Sequence, residues 1–154
     1  MLGRLARLLR AAGEDVVLAP SGASDDTLLR LATGEGRRLV TRDRSLAGRA
    51  GETALLLRAN DTMRQAEEIA VSEPVDWRSR RFTRCLIDNA SLRAASADEL
   101  ACAPESARSG PGPFRTCPRC GRLYWPGSHV KRLNERLDRL AIVAESVRAP
   151  SSPG

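Results

Sequence analysis

The stretch "RLVTRDRSLAGRA" (residues 38–50) carries the first decision about the fold. "RLVT" is a short apolar strand, and "RDRSLAGRA" is a turn that runs into a short helix. The flanking sequence repeats the theme on both sides. Upstream, "GRLARLLRAA" (3–12) places Leu2, Leu5, Ala6 and Leu9 at helical spacing with Arg4, Arg7 and Arg10 off that stripe, and Gly13 stops it. "DVVLA" (15–19) reads as a strand. After the loop "PSGAS", Ser24 or Asp25 caps a helix to about residue 33, with Leu28, Leu29, Leu31 and Ala32 facing inward. Downstream, "ETALLLR" (52–58) is a further strand, and "NDTMRQAEEIAVS" (60–72) is a capped helix that ends ahead of Pro74. Strands alternating with helices through short connections point to an α/β fold with a parallel sheet and flanking helices. Ligands collect at the carboxyl ends of such strands, where Ser24-Asp25-Asp26 and Thr41-Arg42-Asp43 fall.

The composition shifts at "EPVDWRSRR" (73–81). From there to residue 129 the chain has short apolar pieces, turns and the loop "SARSGPGP" (106–113). "HVKRLNERLDRLAIVAESV" (129–147) follows as an amphipathic helix with Val130, Leu133, Leu137 and Leu140 on one face. We therefore expect units at 1–75 and 76–129, a C-terminal helix over 130–147 and a disordered tail from 148 to 154.

Two cysteines in "TCPRCGRLYW" (116–125) suggest chemistry of a different kind. Cys117-Pro118-Arg119-Cys120-Gly121 has the form of a zinc knuckle, in which two thiolates grip one ion and a residue tolerant of positive φ follows. A redox pair is the rival, although such pairs normally open a helix and "GRLYW" reads as strand. Inert thiols are the remaining alternative. Upstream, "RCLIDN" (84–89) offers Cys85 and, where a second knuckle cysteine would stand, Asp88. A carboxylate is an accepted zinc ligand, so Asp88 ranks first as the fourth donor and His129 second. Cys102, without a knuckle, reads as a small buried residue.

The chain has 154 residues, a formal charge of +6 and 25 basic residues, all arginine except Lys131. Such a surface favours polyanionic partners, and the planar guanidinium suits phosphate. No apolar run approaches the roughly 20 residues of a membrane span. The cytoplasm is the expected location, where four cysteines indicate metal or chance more than disulfides.

Together, "MLGRLARLLRAAGEDVV", "SDDTLLRLA", "GRRLVTRDRSLA", "RCLIDN" and "CPRCGRLYWPGSH" resemble the Mut7-C family of ribonucleases over residues 1–135. The resemblance implies a PIN-like nuclease domain with a zinc ribbon appended, acting on RNA with Mg²⁺ or Mn²⁺ in addition to structural Zn²⁺. The family's acidic positions match Asp25 and Asp43, with Asp26 and Thr41 in support; carboxylates at strand ends can hold such ions. Arg4, Arg7, Arg42 and Arg44 are candidate phosphate contacts. Taken alone, Asp25 is equally a helix cap and Asp43 a turn residue. PIN-type nucleases also place an aspartate on a strand directly before the first helix, and the sequence from Met1 lacks it. We expect an upstream extension to carry that strand, and weakened nuclease activity without it. Asp88 stands where many relatives would have cysteine. The competing functions are a non-catalytic zinc-ribbon RNA-binding adaptor and, less well matched, the toxin of a toxin–antitoxin pair.

Overall fold

The computed structural model describes residues 2–149. Helix α1 (Gly3–Ala12) is the most deeply buried segment, with Leu5, Ala6, Leu8, Leu9, Ala11 and Ala12 all in the core. Gly13 ends it at φ 100°, and its N–H bonds the Arg10 carbonyl. A Cβ at residue 13 would lie 2.3 Å from the Arg80 carbonyl oxygen, so only glycine permits that approach.

Helix α2 (Asp25–Gly34) follows, capped by Ser24, whose hydroxyl accepts the Thr27 N–H. Strand β1 (Leu39–Thr41) comes next, then α3 (Arg44–Ala50), a 3-10 turn (Gly51–Thr53) and strand β2 (Ala54–Leu56). The two strands pair in parallel, with Leu39 opposite Ala54 and Thr41 opposite Leu56. Such a pair requires a crossover, here supplied by α3. Helix α4 (Thr62–Ser72) is capped by Asp61, which accepts the Arg64 N–H at 3.0 Å.

The chain then builds a small antiparallel sheet. Strand β3 (Arg93–Ala94) pairs with β4 (Arg115–Thr116), and β4 with β5 (Leu123–Tyr124). Short helices α5 (Ala97–Ala101) and α6 (Glu105–Arg108) bridge β3 to β4. Helix α7 (Ser128–Arg148) closes the described chain and packs against α4 and α1. Its Leu137, Leu140, Ala141 and Ala144 join α1, α4, Trp77 and Leu86 in one apolar cluster. Burying each leucine there contributes about 1.5–3 kcal/mol. The core thus extends through the composition change near residue 75. Among the described residues, no helix is long and apolar enough to cross a membrane.

Several expectations need correction. "DVVLA" forms no strand. Side chains take its backbone groups instead: the Val16 N–H donates to Asn89 Oδ1, and its carbonyl accepts Nε and Nη2 of Arg10. Arg10, expected off the apolar stripe, is 4 % exposed. Leu31 faces solvent rather than the interior, as do Val17 and Leu18. Cys102 is exposed, at the position that ends the short helix α5. Helix α7 starts at Ser128, so His129 lies inside its first turn, and the helix continues through Arg148. The expected disorder of the tail concerns residues that, from 150 to 154, lie outside those described.

Candidate metal centre and acidic positions

Two turns of the same construction face each other. In the first, the Asn89 N–H bonds the Cys85 carbonyl at 3.0 Å and the Cys85 N–H bonds the Ala90 carbonyl at 2.8 Å. In the second, the Gly121 N–H bonds the Cys117 carbonyl at 2.9 Å and the Cys117 N–H bonds the Arg122 carbonyl at 3.0 Å. Asn89 and Gly121 both sit at φ 69°, the left-handed region that Gly and, after it, Asn occupy most readily. Asp88 therefore holds the place in its turn that Cys120 holds in the other.

The turns bring Cys85, Asp88, Cys117 and Cys120 together with ligand atoms all within 4.8 Å of one another. Among the described residues this is the one set of three or more His, Cys, Asp or Glu side chains so gathered. The spacing fits zinc. A tetrahedral ion with Zn–S bonds of about 2.3 Å needs sulfurs about 3.8 Å apart, and Cys85 Sγ lies 3.8 Å from Cys120 Sγ. The mixed S–O edge of such a tetrahedron is about 3.5 Å; Cys117 Sγ lies 3.3 and 3.4 Å from the Asp88 oxygens. The Cys120 N–H points at Cys117 Sγ, as thiolate turns require. None of the cysteines forms a disulfide.

Electrostatics at the cluster favour an anionic carboxylate. Burial opposes ionisation of Asp88, yet the Ala90 N–H and the three thiols bring it down to about 2. Burial likewise raises Cys85, but the Tyr124 hydroxyl and backbone N–H groups of Asp88 and Ile87 outweigh it, and the thiol ends lower than usual. Cys120 is lowered by the Arg122 N–H, but desolvation and its neighbours Asp88, Cys117 and Cys85 push it up to about 11. The Tyr124 phenol accepts the Leu86 N–H at 3.1 Å and sits 3.1 Å from Cys85 Sγ, placed to donate.

Three supporting residues were not identified from sequence. Arg10 reaches from α1 to the carbonyls of Leu86 (3.2 Å) and Ile87 (2.7 Å), inside the first turn. Asn89 ties that turn to Val16 and to Asp15. Tyr124 is the third. Only Asn89 had a legible signal, because it follows Asp88 as Gly121 follows Cys120.

His129 is exposed on α7 and, among the described residues, belongs to no ligand group. Asp43 caps α3 at the carboxyl end of β1: its Oδ1 accepts the Leu46 N–H, and its own N–H donates to Thr41 Oγ1, both at 3.0 Å. Thr41 is buried beneath it. Asp25 and Asp26 open α2, and both bind Arg49 at the end of α3. Since "DVVLA" is no strand, only the Thr41–Asp43 segment lies at a strand's carboxyl end. Arg42 bonds Asn60 across the loop after β2, while Arg4, Arg7 and Arg44 are exposed.

Fold and site define a mixed α/β protein with a small parallel sheet and a ribbon-type cysteine centre able to hold zinc. The chain belongs to the Mut7-C RNAse domain family, whose model matches residues 1–137. Its function is accordingly ribonuclease-related. No curated protein and no solved structure matches the chain.

Proposed function

We propose that the protein is a PIN-like, metal-dependent endoribonuclease of the cytoplasm, cutting RNA at the rim formed by the carboxyl end of β1 and the start of α2. The observation that carries this reading is the Mut7-C RNAse domain match across residues 1–137. Asp25 and Asp43 would hold Mg²⁺ or Mn²⁺, ions that take carboxylate oxygens. When bound, such an ion lowers the pKa of a water and stabilises charge developing on the phosphate.

The remaining work falls to the chain's own groups. Asp43 is exposed, and the buried Thr41 hydroxyl fixes its backbone. Asp26 shares the Arg49 guanidinium with Asp25. An incoming cation would compete with that guanidinium for the same oxygens, which lowers its affinity. Arg4, Arg7, Arg42 and Arg44 would position the RNA backbone without reading sequence. The cysteine ribbon, with Asp88 completing the zinc shell, would be structural.

Replacing Asp43 by Ala should abolish Mg²⁺-dependent cleavage while leaving RNA affinity unchanged or improved. Cleavage that survives in Asp43→Ala sinks the assigned site.

A second reading is an RNA-binding adaptor without catalysis. Arg49 favours it, because its guanidinium already occupies oxygens of both Asp25 and Asp26. That reading expects RNA binding with no cleavage at any Mg²⁺ or Mn²⁺ concentration.

A further inference from the structure

The basic charge of this protein is concentrated in a small part of it. Residues 115–136 hold six basic side chains against the single acid Glu135, which is +5 of the chain's formal +6. Elsewhere many surface arginines pair with carboxylates, Arg37 with Asp15, Arg38 with Glu73, Arg78 with Glu145 and Arg93 with Glu99, while Arg4, Arg7, Arg30, Arg44, Arg58 and Arg108 are exposed without one among the described residues. Lys131, Arg132 and Arg136 on α7, and Arg119 and Arg122 around the second cysteine turn, are exposed and have no such partner among the described residues.

The basic side chains of α7 are also ordered. At about 100° per residue, His129, Arg132 and Arg136 fall on one stripe beside the buried face of Leu137 and Leu140. The opposite flank is occupied, since Arg81 clamps Asn134 and Asp138 there. The next side chain along the stripe, Arg139, is neutralised by Glu67, so the open part ends at Arg136. Half-buried Trp125 stands between the ribbon and the first turn of α7, with a ring face of the kind on which bases stack.

Arg119 and Arg122 have another explanation. A loaded site of three thiolates and one carboxylate around Zn²⁺ carries a net negative charge, and nearby cations offset it. Arg132 and Arg136 belong to neither turn.

We propose that the first two turns of α7, with Arg132 and Arg136 as the principal contacts, form a binding surface for the phosphate backbone of single-stranded RNA, distinct from the acidic rim. This deepens the ribonuclease reading and rests on it for the choice of RNA. The surface supplies affinity without sequence preference, and it positions the strand from the ribbon side of the molecule.

The test measures anisotropy of a labelled single-stranded RNA across a salt series, without added Mg²⁺. Arg132→Ala with Arg136→Ala should weaken binding at least about tenfold and reduce the slope of log K against log salt by about 1.4, that is, by two contacts of about 0.7 each. Arg30→Ala with Arg108→Ala removes two exposed cations, likewise without a carboxylate partner among the described residues, away from the stripe and should change affinity less than twofold. Zinc content and melting temperature confirm that both variants are folded. Equal weakening by the two pairs would overturn the proposal, as would unchanged binding by the first pair. Equally tight, stripe-dependent binding of poly-glutamate would overturn RNA as the ligand. Loss of cleavage in Asp43→Ala alongside normal RNA binding by the Arg132/Arg136 pair would sink this surface alone. Failure of the native chain to bind RNA at all would remove both readings.

Discussion

Asn89 holds its backbone at φ 69°, accepts the Val16 N–H and donates to Asp15 Oδ1. A Cβ-bearing residue other than Asn pays about 1–2 kcal/mol for that torsion. Asn89→Ala should therefore cost about 2–3 kcal/mol in urea unfolding, the hydrogen bonds contributing the rest. Asn89→Gly should recover about 1 kcal/mol of it by relieving the torsion. Equal losses in the two variants would show that φ is not the cause. Asp15, its partner, accepts hydrogen bonds from Arg37 and Asn89, which hold its pKa below the usual carboxylate value despite partial burial. A depressed folded pKa means stability that is fully present above the ordinary carboxylate value and lost as pH falls through it toward the folded one. Asp15→Asn should lose less stability than the native chain over that acid window, by a modest amount because the side chain is 44 % exposed. Coincident acid profiles would remove Asp15 from the argument. At this scale Cys85, Cys117 and Cys120 were legible from sequence as candidate donors, because a knuckle is a local turn with local spacing, while the choice of Asp88 over His129 came from their gathering in space. Arg10, Asn89 and Tyr124 act on partners 76, 73 and 38 positions away or thereabouts, which no local pattern encodes.

Helices α7 and α1 could be read from their periods and α4 from its polar start, and α1 ends at the glycine that predicts its stop. The periodicity did not say what α7 packs on. Leu137 is fully buried against the cluster that includes Leu5, Leu57 and Ile69. Leu137→Ala should cost about 2–5 kcal/mol and lower a single cooperative transition; a separate early transition confined to α7 would show the helix to be an independent unit. "DVVLA" shows the opposite case, an apolar β-branched run that local propensity assigns to a sheet. A strand needs a neighbour to take its backbone groups, and here the Arg10 and Asn89 side chains take those of Val16 first.

For the whole molecule, the metal turn and the main core are mechanically joined. Arg10 is anchored in α1 and bonds three carbonyls, two of them inside the first cysteine turn. Leu86, within that turn, also packs in the core. Metal binding to such a preformed site appears as folding free energy of the entire chain. Chelation, or Cys117→Ser, should remove about one zinc per chain and lower one shared melting transition by about 6–12 °C, taking a loss of about 3 kcal/mol at about 2–4 °C per kcal/mol. A chelated protein with an unchanged melting temperature would show the two parts to be energetically separate.

Sequence alone determined the α/β alternation, the capped start of α2 at Ser24 or Asp25, and a cysteine knuckle whose partners are Cys85 and either Asp88 or His129. These rest on spacing, propensity and turn chemistry within a few residues. Tertiary structure decided the rest: the burial of Arg10, the irregular course of "DVVLA", the joining of α7 to α1 and α4, and the pairing of Arg49 with Asp25 and Asp26. Each depends on which distant group reaches a backbone carbonyl, a carboxylate or an apolar face first, and that competition is settled only when the chain is packed.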